Sequence, residues 1–197
     1  MQPAECADAR TRSDEGAAKV AAARRGDAAA FSWLVRRHQR RAVSVAYRLL
    51  GNAEDAADVV QDAFVRAHTR LGQLDDDERF GPWLMRIVTN LALNFRRRRG
   101  SRPTVSLEAG MDVGAASGSA ASASWACDGG DSAALKQAID AAIRTLPEKQ
   151  AAALVLFSIE GMPQKEVAEV LDCSVELVKW NVFQARKKLK DLLADYL

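Results

Sequence analysis

An all-α chain made of two helical modules is predicted by three features of the sequence. Apolar residues recur every three to four positions through most of it, no run alternates apolar and polar residues as a half-buried strand does, and composition changes abruptly between residues 103 and 131. Its 197 residues suit two small helical cores as well as one larger one.

Residues 1–26 are rich in Ala and charge and are expected to form an N-terminal extension that frays at its start. The first module, 27–102, opens where Asp27 is placed to cap a helix. Phe31, Leu34, Val35, His38, Ala42, Val45, Ala46 and Leu49 share one face of that helix, and Arg36, Arg37, Arg40, Arg41 and Arg48 lie mainly around the rest. Gly51 ends it, and Asn52 is placed to cap the next, which runs to about Leu71 with Ala56, Val60, Ala63, Phe64, Ala67 and Leu71 inward. GQLDDDER, Gly72 to Arg79, reads as a polar loop. A third helix begins around Pro82, a good first-turn residue, turns Leu84, Ile87, Val88, Leu91 and Phe95 to the core, and continues into an arginine block.

From 103 to 131 the chain is rich in small residues, and its stretch AGMDVGAASGSAASASWACDGGD shows almost no apolar period. With Glu108, Asp112, Asp128 and Asp131, it reads as a flexible acidic linker. The second module, 132–195, is predicted to hold four helices. The first places Leu135, Ile139, Ala142 and Ile143 inward; the second starts after Pro147 and stops at Gly161; the third spans about Pro163 to Leu171. Asp172-Cys173-Ser174 is a short turn, and Ser174 is placed to cap a last helix with Val178, Val182, Ala185, Leu189 and Leu192 inward.

The formal net charge is only +2, from 28 Lys and Arg against 26 Asp and Glu, so distribution says more than balance. Arg96, Arg97, Arg98, Arg99 and Arg102 form one basic cluster, and Lys179, Arg186, Lys187, Lys188 and Lys190 form another. Two such clusters suit two contact zones for a polyanion, or two solvated helix ends. Cys6, Cys127 and Cys173 lack disulfide or zinc spacing, and His38 and His68 lack metal-ligand spacing, so no metal or other cofactor is expected. The cysteine usage and a polar N-terminus imply a reducing, cytoplasmic setting, and no apolar run is long enough to span a bilayer.

The last two helices, joined by a three-residue turn, make a helix-turn-helix, in which the second helix enters the major groove and the first braces it. Lys179, Trp180, Phe183, Arg186 and Lys187 share that helix's outer side, where a solvated basic face is the plainer alternative. On the first module's third helix, Arg86, Asn90, Asn94 and Arg97 form an outer stripe with Phe80 and Trp83 at its start. Amides and aromatics suit exposed bases better than a phosphate track, although a lone Trp is more often core. Asp55, Asp58 and Asp62 form an acidic stripe. Carboxylates in a first turn complement the helix dipole, but Asp62 lies too deep for that and points to a basic protein partner. With no nucleophile–base set, phosphate loop or ligand cluster, no catalytic site is expected and the chain is not expected to be an enzyme.

The segments DAADVVQDAFVRA, WLMRIVTNLALNFRRR and LPEKQ…EGMPQKEVAEVLDCSVELVKWNVFQARKKL, in this order around an acidic linker, resemble the extracytoplasmic-function (ECF) group of sigma-70-family RNA polymerase sigma factors. The likeness covers about Asp27 to Arg99 and Leu135 to Leu193. It implies a region 2 module and a region 4 module, binding to core polymerase through the largest-subunit clamp coiled coil and the flap, promoter recognition, strand opening and an anti-sigma factor as partner. Asp55, Asp58, Gln61 and Asp62 match the family's clamp-docking helix. Arg86, Asn90 and Asn94 match the helix that binds and melts the minus-ten element, Gly72 to Phe80 the loop that holds a flipped base, and Arg97 and Arg98 would hold phosphates. Gln164, Lys165, Lys179 and Arg186 match minus-thirty-five contacts. The linker is implied to thread toward the polymerase's active-site and RNA-exit channels.

Where many members read V-K-S-R, this chain reads Val178-Lys179-Trp180-Asn181, so a relative's promoter sequence does not transfer. Trp180 and Asn181 are carried with the minus-thirty-five set. At 100° per residue Trp180 projects about 160° from the core direction. It is read either as contact with a thymine methyl or as packing on a neighbouring helix or an anti-sigma partner. The rival functions are a free-standing dimeric helix-turn-helix regulator, which would need neither the acidic nor the amide stripe, and a helical hydrolase or nucleotide-binding protein, for which no site is present.

Overall fold

The computed structural model describes residues 3–101 and 130–194. Its helices are α1 (Pro3–Arg24), α2 (Ala28–Leu50), α3 (Ala53–Thr69), α4 (Phe80–Ser101), α5 (Gly130–Thr145), α6 (Glu148–Leu154), α7 (Gln164–Leu171) and α8 (Val175–Leu192), with no strand among the described residues. The expected linker lies outside the described residues except for Gly130 and Asp131, which open α5.

Local chemistry sets the boundaries. Asp27 accepts from the N–H groups of Ala29 at 2.8 Å and Ala30 at 3.0 Å, and Asn52 from Glu54 at 2.8 Å and Asp55 at 3.2 Å. Ser174 Oγ accepts from the Leu177 N–H at 3.2 Å. Each such cap contributes about 1 kcal/mol. Gly51 closes α2 at φ +76°, where an L side chain is strained, and a Cβ there would also run into the Arg144 side chain. Asp172 closes α7 at φ 51°, a left-handed conformation that Asp tolerates better than most residues.

α1 is the first departure from the sequence reading. The extension is helical to Arg24, with Val20 fully buried and Ala23 7% exposed against the first module. An Ala-rich segment with few large apolar residues gives little periodic signal, yet one valine and an alanine three residues later suffice to seat its last turns.

Leu34, Val45 and Leu49 of α2, Ala56, Val60 and Ala63 of α3, and Leu84, Met85 and Val88 of α4 form the first module's interior. Ile87, Leu91 and Phe95 are only half-buried, while Met85, Ala92 and Leu93 are buried, so α4 is turned slightly from the expected register. In the second module α6 is buried almost throughout and then widens. The Glu160 N–H reaches back five residues to the Val155 carbonyl at 3.0 Å, making Val155–Ile159 a π turn. The two modules dock: α4 packs on α7, and α2 packs on α5 and on the π turn.

Candidate nucleic-acid interface

Arg86, Asn90, Asn94 and Arg97 stand exposed in a row along α4, with Arg98 exposed beside them. A groove of about 260 Å³ runs beside this row, its other wall supplied by Arg66 and Arg70 at the end of α3. Sequence reasoning misses those two arginines, although their four-residue spacing puts them on one side of a helix end. Trp83 is half-buried at the head of the groove, 6.0 Å from the Phe80 ring between centroids. There the groove meets a cavity of about 360 Å³ whose first-module walls include Gln73, Asp75, Asp76, Arg79, Trp83 and Arg86, with Glu169 and Val170 of the second module facing them. A row of amide and guanidinium groups beside an aromatic-walled cavity suits unpaired bases: ring faces stack, and amides and carboxylates answer base edges.

The connection from α3 to α4 forms one side of the cavity and holds two 3-10 turns, Leu71–Gln73 and Asp77–Arg79. Leu71 and Leu74 are its buried anchors, and Asp76 accepts from the Glu78 N–H at 3.0 Å. Arg24 of α1 reaches this loop: its Nε donates to the Leu71 carbonyl at 3.1 Å, its Nη2 donates to the Leu74 carbonyl, and the same Nη2 lies 2.9 Å from Asp77 Oδ1. Behind Phe80, at 5.3 Å between ring centroids, His38 is packed inward. Burial, reinforced by the positive charges of Arg37 and Arg41, pulls its pKa down to about 4, so the ring is neutral near pH 7.

Asp58, Gln61 and Asp62 are exposed together on α3, and Val65 stands beside them at 57% exposure. A single exposed valine is ordinary on a protein surface; here it adds apolar area to the acidic face, and in the sequence it reads only as a break in the pattern. Asp55 continues the same stripe toward the start of α3, but it is half-buried and accepts from Arg99 Nη1 at 2.6 Å, so its carboxylate is already engaged.

On α8, Lys179, Trp180, Phe183, Arg186 and Lys187 are exposed or partly so, Trp180 at 52% and Phe183 at 65%. Asn181 corrects the sequence reading. It is 3% exposed, three residues after Val178 and four before Ala185 on the inner row, so it does not stand on the outer face with Trp180. Arg186 is engaged by its own module, donating to Ser158 Oγ at 3.1 Å and lying 5.9 Å from the Phe157 ring centroid. On α7, Lys165 is exposed and Gln164 half-buried.

Docking brings acids of the second module onto arginines of the first. Glu148 pairs with Arg97 at 3.2 Å, Asp172 with Arg86 at 3.9 Å, and Glu169 with Arg79 beside the cavity it helps to close. Farther in, Asp140 pairs with Arg48 at 2.5 Å, and Glu160 with Arg41 at 3.3 Å while accepting from Ser44 Oγ at 2.8 Å. In each of these pairs the arginine belongs to the first module and the acid to the second.

Residues 34–102 match the family model for sigma-70 region 2 and residues 136–189 that for sigma-70 region 4, which defines a two-region sigma-type transcription initiation factor. The chain is 33% identical to the RNA polymerase sigma-H factor of Pseudomonas aeruginosa over 88% of its own length and 91% of the relative's. To the ECF RNA polymerase sigma factor SigW of Bacillus subtilis it is 30% identical, over 90% and 96%. A solved structure of CnrH in complex with the cytosolic domain of CnrY is 30% identical, covers 92% of this chain and 99% of its own, and superposes with a TM-score of 0.68. The chain belongs to the ECF group of sigma-70-family RNA polymerase sigma factors.

Proposed function

We propose that this sigma factor recruits core polymerase through Asp58, Gln61, Asp62 and Val65 of α3, and opens promoter DNA along Arg86, Asn90 and Asn94 of α4 with one extruded base in the cavity between Trp83 and the 72–80 loop. Arg97 and Arg98 hold phosphates below that row, and Lys165, Lys179 and Trp180 contact the minus-thirty-five element. The polymerase performs the chemistry; this chain supplies binding energy and specificity and works in the cytoplasm. The observation that carries the reading is the unbroken exposed Arg86–Asn90–Asn94 row leading to an aromatic-walled cavity.

Geometry adds a requirement. Minus-ten and minus-thirty-five elements lie about 25 base pairs apart, or ~85 Å of duplex at 3.4 Å per pair. Packed helices such as α4 and α7 sit about 8–10 Å apart. The docked form therefore cannot read both elements at once, and the modules separate on the promoter. The likeness to CnrH bound by a cytosolic CnrY domain supports a protein partner for the docked form, an anti-sigma factor.

The test is a pull-down with core polymerase followed by transcription in vitro. Asp58→Lys with Asp62→Lys should abolish core binding while circular dichroism stays helical, because each reversal exchanges an attraction for a repulsion, several kcal/mol for a close complementary pair. Unchanged affinity in the folded double variant refutes the docking face.

A further inference from the structure

Arg24 lies on α1, ahead of the residues 34–102 matched as region 2, yet its guanidinium touches the loop beside the base cavity at three points. Two are backbone carbonyls, of Leu71 in the first 3-10 turn and of Leu74 just after it; the third is the carboxylate of Asp77, which opens the second turn. One planar fork thus ties both turns to a third element, which a point-charge ammonium could not do as well.

The loop needs such a tie. Between its buried anchors Leu71 and Leu74 and the start of α4 at Phe80, its side chains are polar, and Asp75, Asp76, Asp77 and Glu78 repel one another and any phosphate. Asp76 is committed to capping the Glu78 N–H, and Asp77 is offset by Arg24. That leaves Asp75 and Gln73 toward the cavity, where a carboxylate and an amide can accept from or donate to a base edge. We propose that Arg24 is a positioning residue for promoter opening: by bracing both turns it holds the loop in the shape that accepts the extruded base, without touching DNA itself. This role rests on the cavity between Trp83 and the 72–80 loop being the base site.

The experiment measures holoenzyme binding to single-stranded oligonucleotides carrying the nontemplate minus-ten sequence of a promoter mapped by transcription in vitro, with an abasic residue moved through each position. For the wild type, one position should show a loss of about tenfold on base removal, the range of a stacked and bonded base. In Arg24→Ala that penalty should shrink below about threefold at that position alone, as expected when a pocket loses its preorganisation. Arg24→Lys, which keeps the ion pair with Asp77 but not the fork, should recover part of it. A purely structural role would weaken binding at every position alike and leave the abasic penalty at wild-type size, which overturns the proposal while the base cavity stands. A wild type indifferent to base removal throughout overturns the cavity reading and this inference with it. Should Arg24→Ala lose its helical circular dichroism, Asp77→Ala removes the one side-chain contact of the three and frees the second turn, so a smaller loss at that same position is expected; an unchanged penalty in folded Asp77→Ala refutes the brace.

Discussion

Replacing Asp140 with alanine should part the two modules while leaving each folded, and the reason lies in how unequally the intermodule ion pairs are buried. Arg79–Glu169 and Arg86–Asp172 join side chains at least 46% exposed, where a pair contributes about 0–1 kcal/mol. Arg48 and Asp140 are 19% and 10% exposed, and removing one partner of such a buried pair costs about 3–5 kcal/mol because the other charge is left without compensation. The chain can relieve that cost by undocking, which returns Arg48 to water, so the penalty appears as separation rather than unfolding. Small-angle scattering reads it directly: the docked chain should have a radius of gyration near the ~16 Å of a compact chain of this length, and Asp140→Ala should scatter as a clearly larger particle. Glu169→Ala should stay compact. A compact Asp140→Ala chain, or a Glu169→Ala chain that opens equally, refutes the assignment of docking strength to the buried pair.

Asn90→Ala should leave core binding intact and slow strand separation on duplex promoter, since melted bases lose a replacement hydrogen-bond partner; permanganate footprints on a pre-opened bubble should recover most of the loss, and an equal defect on both templates argues against a melting role. Trp180→Ala should weaken holoenzyme affinity by about 1–3 kcal/mol at one or two minus-thirty-five positions with little change in salt dependence, whereas Lys179→Ala should lower the salt slope by ~1 across all sequences. Wild-type preference and affinity in Trp180→Ala would favour protein packing for that ring. His38 gives a pH signature: its folded pKa, about 4, lies below the unfolded value near 6.5, so the stability its neutral ring contributes is complete above pH ~6.5 and lost as pH falls toward 4, about 3 kcal/mol in all. The difference in unfolding midpoint between wild type and His38→Gln should change across that window, and parallel curves refute it.

Elements announced by their own caps are legible from sequence alone. Asp27, Gly51, Asn52 and Ser174 mark helix ends because their chemistry is local, and the 3.6-residue period then sets the inner faces of α2, α3 and α8. The features that escape a linear reading depend on distant partners. Asp55 looks like its neighbours Asp58 and Asp62 until Arg99, forty-four residues away, claims it. Asn181 looks like part of an outward recognition segment because amides are usually exposed, yet the row from Val178 to Ala185 carries it inward. The pairing of first-module arginines with second-module acids has no linear pattern at all, and α1 is hidden because alanine packs well while signalling little.

The π turn at Val155–Ile159 holds one residue more than a regular helical turn would. Deleting one residue there would restore an ordinary α-helix and rotate the downstream segment by about 100° while drawing it back ~1.5 Å. Glu160, which bridges to Arg41 and Ser44, and the Gly161–Pro163 connection that launches α7 and α8 both lie immediately downstream. The phase of the helix-turn-helix and the grip of one module on the other are thus set at the same joint. An insertion or deletion at this joint would change both together, and a chain that kept one while losing the other would have to compensate in the Gly161–Pro163 turn.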